Sequence, residues 1–136
     1  MIQLLLSIFL LMSFALAGEI EVSDISIKLP PSSVIKSSAA TMFIKNNSAQ
    51  DLSLVKVDSD IAEVNEIHFM KTEGGMMRMR KADEVLIPAK SSHDMKKSGF
   101  HVMLIHLKKT LVAGSKHPLI LVFKDGKSLK VQAIVE

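Results

Sequence analysis

The sequence contains no cysteine, no tryptophan and no tyrosine among its 136 residues. Without cysteine the chain can form no disulfide, offer no thiolate ligand and use no thiol nucleophile, and we expect no lipid anchor attached through a cysteine. Without tyrosine and tryptophan it lacks the usual stacking platforms for bases and sugars, and a net charge of +3 is too small to indicate nucleic-acid binding. No nucleophile elbow, HExxH motif or glycine-rich phosphate loop is present, so the sequence predicts neither an enzyme nor a nucleic-acid-binding protein.

The one long apolar run is at the N-terminus, in MIQLLLSIFLLMSFALA. This run is short for a membrane span, polar residues follow it at once, and it ends in Ala15-Leu16-Ala17, which fits an A-x-A cleavage site. We therefore expect residues 1–17 to be a signal peptide that is cleaved after about Ala17, with an uncleaved membrane anchor as the alternative. Residues 18–136 would then form a single periplasmic domain.

The rest of the chain consists of short segments of strand-like pattern separated by turn signals, with no long helical period. Gly74-Gly75 predicts a hairpin turn, and Asp125-Gly126 predicts the turn of a C-terminal hairpin. Residues 59–64 fit one helical turn. Many short strands at this spacing predict an all-β protein, an antiparallel sandwich or barrel. The strand-like segments before the last hairpin are 19–30, 39–46, 52–58, 64–71, 76–81, 85–88, 93–97 and 100–109.

Three of these segments carry histidine or methionine two residues apart. Residues two apart in a strand point to the same face of the sheet, so each pair projects side by side. The turn at Gly74-Gly75 can bring the first two pairs together in one hairpin. The pairs are His68 with Met70, Met77 with Met79, and His101 with Met103.

A set of thioethers and imidazoles has a distinct metal preference. Thioethers are soft and neutral, so the set favours Cu(I) over calcium or magnesium, which prefer oxygen, and over zinc, for which methionine is a poor ligand. The absence of a thiolate excludes the blue-copper arrangement and argues against electron transfer. From the residue types alone, however, these side chains could equally be core packing.

The spacing His68-x10-Met79-x21-His101-x-Met103 resembles the H-x10-M-x21-H-x-M pattern of the periplasmic copper chaperone family PCuAC. The resemblance extends over about residues 20–135 and includes "HFMKTEGGMMRM" and "GFHVMLIHLKK". It implies a cupredoxin-like antiparallel β-sandwich with Greek-key connections. It also implies that one Cu(I) per chain is held by His68, Met79, His101 and Met103.

The resemblance further implies a non-enzymatic metallochaperone that delivers copper to the apo-cytochrome c oxidase copper subunit, beside a Sco-type thiol protein. We expect one site and not two, because no His/Met-rich tail precedes Glu136, and we expect the protein to be a monomer. Where the family has a Pro-Gly-Gly turn, this chain has Lys97-Ser98-Gly99, which keeps one glycine for the turn. Two alternatives stay open: a metal-free interaction module of the cell envelope, and a copper storage or detoxification protein.

The remaining histidines and methionines have simpler interpretations. Met42 and Met95 are expected to fill the core. Met70 and Met77 share a face with predicted ligands, so each could serve as a spare donor or a shield. The other histidines, His93, His106 and His117, are expected to be ordinary surface or hydrogen-bonded residues. Two lysine pairs, Lys96-Lys97 and Lys108-Lys109, are expected to be solvated edge charges, or less simply a docking patch for an acidic partner.

Overall fold

The computed structural model describes residues 18–136, which form ten strands and one short helix. The predicted signal peptide, residues 1–17, lies outside the described residues. In the described part, no helix is long and apolar enough to cross a membrane. The elements are β1 Ile20–Ile27, β2 Ser37–Asn46, β3 Leu52–Ser59, β4 Ala62–Glu73, β5 Met76–Lys81, β6 Val85–Ile87, β7 Ser92–Asp94, α1 Met95–Ser98, β8 Phe100–Leu107, β9 Lys116–Phe123 and β10 Ser128–Val135.

The strands follow one hydrogen-bonded path in the order β5-β4-β8-β2-β1-β10-β9-β3-β6, and β7 pairs with β2. Adjacent strands are antiparallel except β1 and β10, which run parallel. The path curls over a single core, because buried side chains from both of its halves form one cluster. This arrangement confirms the predicted all-β, cupredoxin-like sandwich, with one parallel pair that the sequence pattern did not predict.

Alternation along the strands decides which side chains enter the core. In β8, Val102 and Leu104 are fully buried, and their neighbours on either side are not. Ile67 of β4 lies directly opposite Val102 and is also buried. The intervening residues of β4 and β8 therefore point to the outer face of the sheet.

The β4–β5 hairpin turns at Gly74 and Gly75, as predicted. Both glycines have positive φ, 57° and 81°, a conformation that suits the two central residues of a type I′ turn and that side chains disfavour. The register places Glu73 opposite Met76 and runs without a shift along the hairpin. Strand β5 forms the outer edge of the sheet, and all its residues are exposed.

The entry into β8 is set by α1 and its caps. Asp94 caps the N-terminus, where its side chain accepts a hydrogen bond from the backbone N–H of Lys96 at 3.1 Å. Gly99 ends the helix in the left-handed region, with φ 85°, and its N–H donates to the Met95 carbonyl. The Gly99 carbonyl then accepts from the backbone N–H of Met70, at an N to O distance of 3.2 Å, which ties this turn to β4.

Two local predictions need correction. Residues 59–64 contain no helical turn, because β3 extends to Ser59 and β4 starts at Ala62, where pairing with Leu107 and burial of Ile61 favour the extended chain. The segment 93–97 is divided between β7 and α1, because the capping residues at both ends favour a helical turn.

Candidate metal centre

The four predicted ligands lie on one face of three adjacent strands, β5, β4 and β8. His68 of β4 is directly opposite His101 of β8, and Met70 of β4 is directly opposite Met79 of β5. Directly opposite residues share a face, and so do residues two apart in a strand, such as His101 and Met103. The sheet therefore brings both histidines and both methionines to its outer face.

The two histidine rings face each other across the β4–β8 ladder. Their centroids are 6.0 Å apart and their planes are tilted by 56°. Nε2 of His68 lies 2.8 Å from Oε2 of Glu66. Nδ1 of His101 lies 3.2 Å from the carbonyl oxygen of Gly99, which can only accept, so Nδ1 carries the proton. Each ring is thus anchored through one nitrogen.

The other nitrogen of each ring is buried and has no hydrogen-bond partner among the described residues. These atoms are Nδ1 of His68 and Nε2 of His101. Leaving a polar atom buried without a partner costs about 1–3 kcal/mol, so such atoms need an explanation. In a neutral imidazole anchored by its N–H, the second nitrogen carries a lone pair. The two lone-pair nitrogens, on rings that lie opposite each other, can therefore serve as ligands to a metal ion.

Met103 and Met79 are both diagonal neighbours of His68, Met103 on strand β8 and Met79 on strand β5. Met103 is half-buried, lies directly opposite Glu66 of β4, and pairs on its other side with Ala39 of β2. Met79 lies on the edge strand and is 46% exposed. Diagonal neighbours in an antiparallel sheet are about 7–8 Å apart at the backbone, a distance that long side chains span.

The two methionines with ambiguous sequence interpretations differ in their surroundings. Met70 shares the outer face and sits directly opposite Met79, so it is adjacent to the predicted set. The sulfur of Met77 accepts a hydrogen bond from the hydroxyl of Thr72 at 3.0 Å, one step further towards the turn. Of the two, Met70 is therefore the better placed to serve as a spare donor.

Glu66 is part of this site and was missed by the sequence reasoning. The hydrogen bond from His68, followed by the positive charge of Lys81, lowers the pKa of the Glu66 carboxyl below its usual value. Nζ of Lys81 lies 3.9 Å from Oε1 of Glu66. A signal was available, since Glu66 precedes His68 by two residues and so shares its face in a strand.

The remaining histidines are accounted for without metal. Nε2 of His93 lies 2.7 Å from the Ser98 hydroxyl, Nε2 of His117 lies 3.0 Å from the Ser115 hydroxyl, and His106 is exposed. Within residues 18–136, no three His, Asp or Glu side chains are grouped so that they could hold a metal ion.

A family model described as "Putative lipoprotein LpqE-like" matches residues 20–135. A curated relative, "Putative lipoprotein Lxx21020" of Leifsonia xyli subsp. xyli, is 32% identical over 94 residues, which is 68% of this chain. The match spans 57% of the length of that relative.

Two solved structures share the fold. The copper-bound PCuAC domain from PmoF2 superposes with a TM-score of 0.72 at 21% identity, over 88% of this chain and 93% of that one. Cu(I)-bound DR1885 from Deinococcus radiodurans superposes with a TM-score of 0.67 at 31% identity, over 90% and 83%. The chain therefore belongs to the LpqE-like family and has the fold of PCuAC domains, which confirms the resemblance noted from the sequence.

Proposed function

We propose that this member of the LpqE-like family is a non-enzymatic metallochaperone that holds one Cu(I) between His68, His101, Met79 and Met103. The observation that carries the proposal is the facing pair of histidine rings, each with one buried nitrogen that has no hydrogen-bond partner. The copper-bound states of the similar structures support the same cargo. The metal-free alternative predicts four mutually distant side chains, whereas His68 and His101 are directly opposite each other.

The donor set favours the monovalent ion. Two thioethers and two neutral imidazoles bring no negative charge of their own, so they compensate the charge of a dication poorly. Soft sulfur donors favour Cu(I), whereas Cu(II) prefers tetragonal nitrogen and oxygen ligands. The carboxylate of Glu66 supplies a negative charge beside the ring of His68, with its Oε2 2.8 Å from Nε2.

The position of the site suits transfer of the ion to another protein. Met79 is nearly half exposed on an edge strand, so an incoming ligand can replace one thioether while the histidines still hold the ion. We propose that transfer takes place outside the cytoplasm, to the copper subunit of an apo-cytochrome c oxidase and beside a Sco-type thiol protein.

Binding is tested by titrating the purified protein with Cu(I) against a chromogenic chelator. We expect one ion per chain. Changing both Met79 and Met103 to Ala should lower the affinity for Cu(I) by at least about 100-fold, because losing only a hydrogen-bond partner of a metal ligand already costs about 10–100-fold. The matched control is Met76→Ala, which removes an exposed thioether from the other face of β5. A stoichiometry near zero, or an unchanged affinity in the double variant, would rule out the proposed site.

Delivery is separated from storage by gene deletion. If the protein delivers copper, the deletion strain should lose oxidase activity at low copper and recover it at high copper. The wild-type gene should restore activity at low copper, and the Met79→Ala, Met103→Ala variant should not. Normal oxidase activity at low copper, with poor growth at high copper, would instead indicate storage or detoxification.

A further inference from the structure

The two facing histidines are anchored in different ways. His101 is held by the backbone, because its Nδ1–H donates to the carbonyl of Gly99. His68 is held by a side chain, because its Nε2 contacts Oε2 of Glu66 at 2.8 Å. Only the second anchor can be removed by a substitution that leaves the backbone unchanged.

The contact with Glu66 determines which nitrogen of His68 carries a proton. An ionised carboxylate can only accept a hydrogen bond, so the proton of a neutral His68 lies on Nε2. Nδ1 is then the lone-pair nitrogen, and it is the atom that is buried without a partner. The hydrogen bond thus determines the tautomer, and the nitrogen that it leaves with a lone pair is the buried one.

Glu66 is itself held in place from a second side. Nζ of Lys81 lies 3.9 Å from Oε1, the carboxylate oxygen that does not contact His68. Lys81 is directly opposite His68 in the β4–β5 ladder, so the lysine and the histidine reach the carboxylate from neighbouring positions. The Glu66 side chain is only 29% exposed. Lys81, Glu66 and His68 therefore form a short chain of contacts that ends at the histidine ring.

We propose that Glu66 is a positioning residue which keeps the proton on Nε2 of His68, so that Cu(I) binds Nδ1 of His68 and Nε2 of His101. This inference rests on the proposed function. A carboxylate behind a ligating histidine fixes the ring and makes the free nitrogen a better donor, and losing such a partner costs about 10–100-fold in metal affinity. The two histidines would thus use different nitrogens for the same ion.

The first readout uses the metal-free protein. We expect ¹⁵N NMR of the imidazoles to show His68 with its proton on Nε2 and that proton protected from exchange with water. In Glu66→Ala the protection should be lost while the His101 signals stay unchanged, which also reports that the sheet is intact. An unprotected Nε2 proton in the wild type, or a protected one in Glu66→Ala, would overturn the inference.

The second readout adds Cu(I). In the wild type, we expect the metal-induced ¹⁵N shifts at Nδ1 of His68 and Nε2 of His101, and Glu66→Ala should bind about 10–100-fold more weakly. The control is Glu63→Ala, which removes the same charge from an exposed position of the same strand. Glu63 is three residues from Glu66 and so does not share its face, and its removal should not change the affinity for Cu(I). Shifts at Nε2 of His68, or equal affinities in the wild type and Glu66→Ala, would overturn the inference.

A third variant separates positioning from simple charge attraction. Lys81→Leu removes a positive charge near the site, adds no metal donor and leaves the contact between Glu66 and His68, so we expect affinity to stay within a few-fold of wild type. A gain in Lys81→Leu as large as the loss in Glu66→Ala would indicate charge alone and overturn the positioning role. If the wild type binds no Cu(I), the proposed function fails, while the metal-free NMR still decides whether Glu66 sets the tautomer.

Discussion

Replacing Gly99 with alanine should weaken the fold and the site through one atom, the Gly99 carbonyl oxygen. Gly99 ends α1 with φ 85°, in the left-handed region. Its carbonyl accepts two hydrogen bonds, from Nδ1 of His101 and from the backbone N–H of Met70, each at 3.2 Å. A side chain at this position therefore strains the residue that connects the helix, β4 and the proposed metal ligand His101.

The size of the effect follows from the space around Gly99. An added Cβ would lie 3.7 Å from the Cβ of Met70, an ordinary van der Waals contact, so there is no steric clash. The cost is the left-handed backbone itself, about 1–2 kcal/mol for a residue with a side chain. Relaxing φ to avoid this cost would rotate the carbonyl away from His101, and losing that anchor should weaken Cu(I) binding about 10-fold or more.

The control is Gly114→Ala in the loop between β8 and β9. Gly114 has nearly the same φ, 84°, and nothing lies within 4 Å of an added Cβ. Urea unfolding should give a similar loss of stability in both variants, whereas Cu(I) titration should show weaker binding only in Gly99→Ala. A Gly99→Ala protein as stable as the wild type, or equal losses of copper affinity in the two variants, would refute this reasoning.

Two further predictions concern pH and oxidation state. Burial lowers the pKa of His93 in the folded protein, so the unfolded chain takes up a proton on His93 at higher pH than the folded protein does. The contribution of neutral His93 to the free energy of unfolding is therefore fully present above the ordinary pKa of about 6.5 and is lost as the pH falls below that value. Urea unfolding at several pH values should therefore show that acid lowers the stability of His93→Gln less than that of the wild type. Equal losses of stability in the two proteins would contradict this role of His93. The site should bind Cu(I) much more tightly than Cu(II), and X-ray absorption of the Cu(I) form should show sulfur at about 2.3 Å. A spectrum with only nitrogen and oxygen scatterers would remove the methionines from the ligand set.

Much of the hairpin and of the shared face could be read from short windows of sequence. Gly74-Gly75 between two strand-like runs predicted the turn, and β5 begins and ends where the pattern placed it, at Met76 and Lys81. Alternation with period two predicted that His101 and Met103 share a face, and the register agrees. These features depend on neighbours in the chain, and local backbone geometry determines them.

Two other segments differ from the structure that their local pattern predicts. Asp94 and Gly99 are the N-cap and C-cap of a four-residue helix, whereas the strand-like pattern predicts that this segment is extended. Residues 59–64 have a composition that fits a helical turn, but the chain bends at residues 60–61 and continues as β4, where Ile61 is buried and Ala62 pairs with Leu107. In the second case a long-range contact overrode the local preference.

The sequence by itself determined the kind of chemistry: soft thioethers and imidazoles without cysteine, at alternate positions of three strand-like segments, two of which one glycine turn connects. Only the tertiary structure decided that His68 lies directly opposite His101 and that Glu66 anchors one ring while a backbone carbonyl anchors the other. The register between β4 and β8 joins segments far apart in the chain, and a shift of one residue would send every side chain of a strand to the other face. Burial of the inner face of these two strands holds that register, because Ile67 and Val102 must meet in the core for the two histidines to meet outside it.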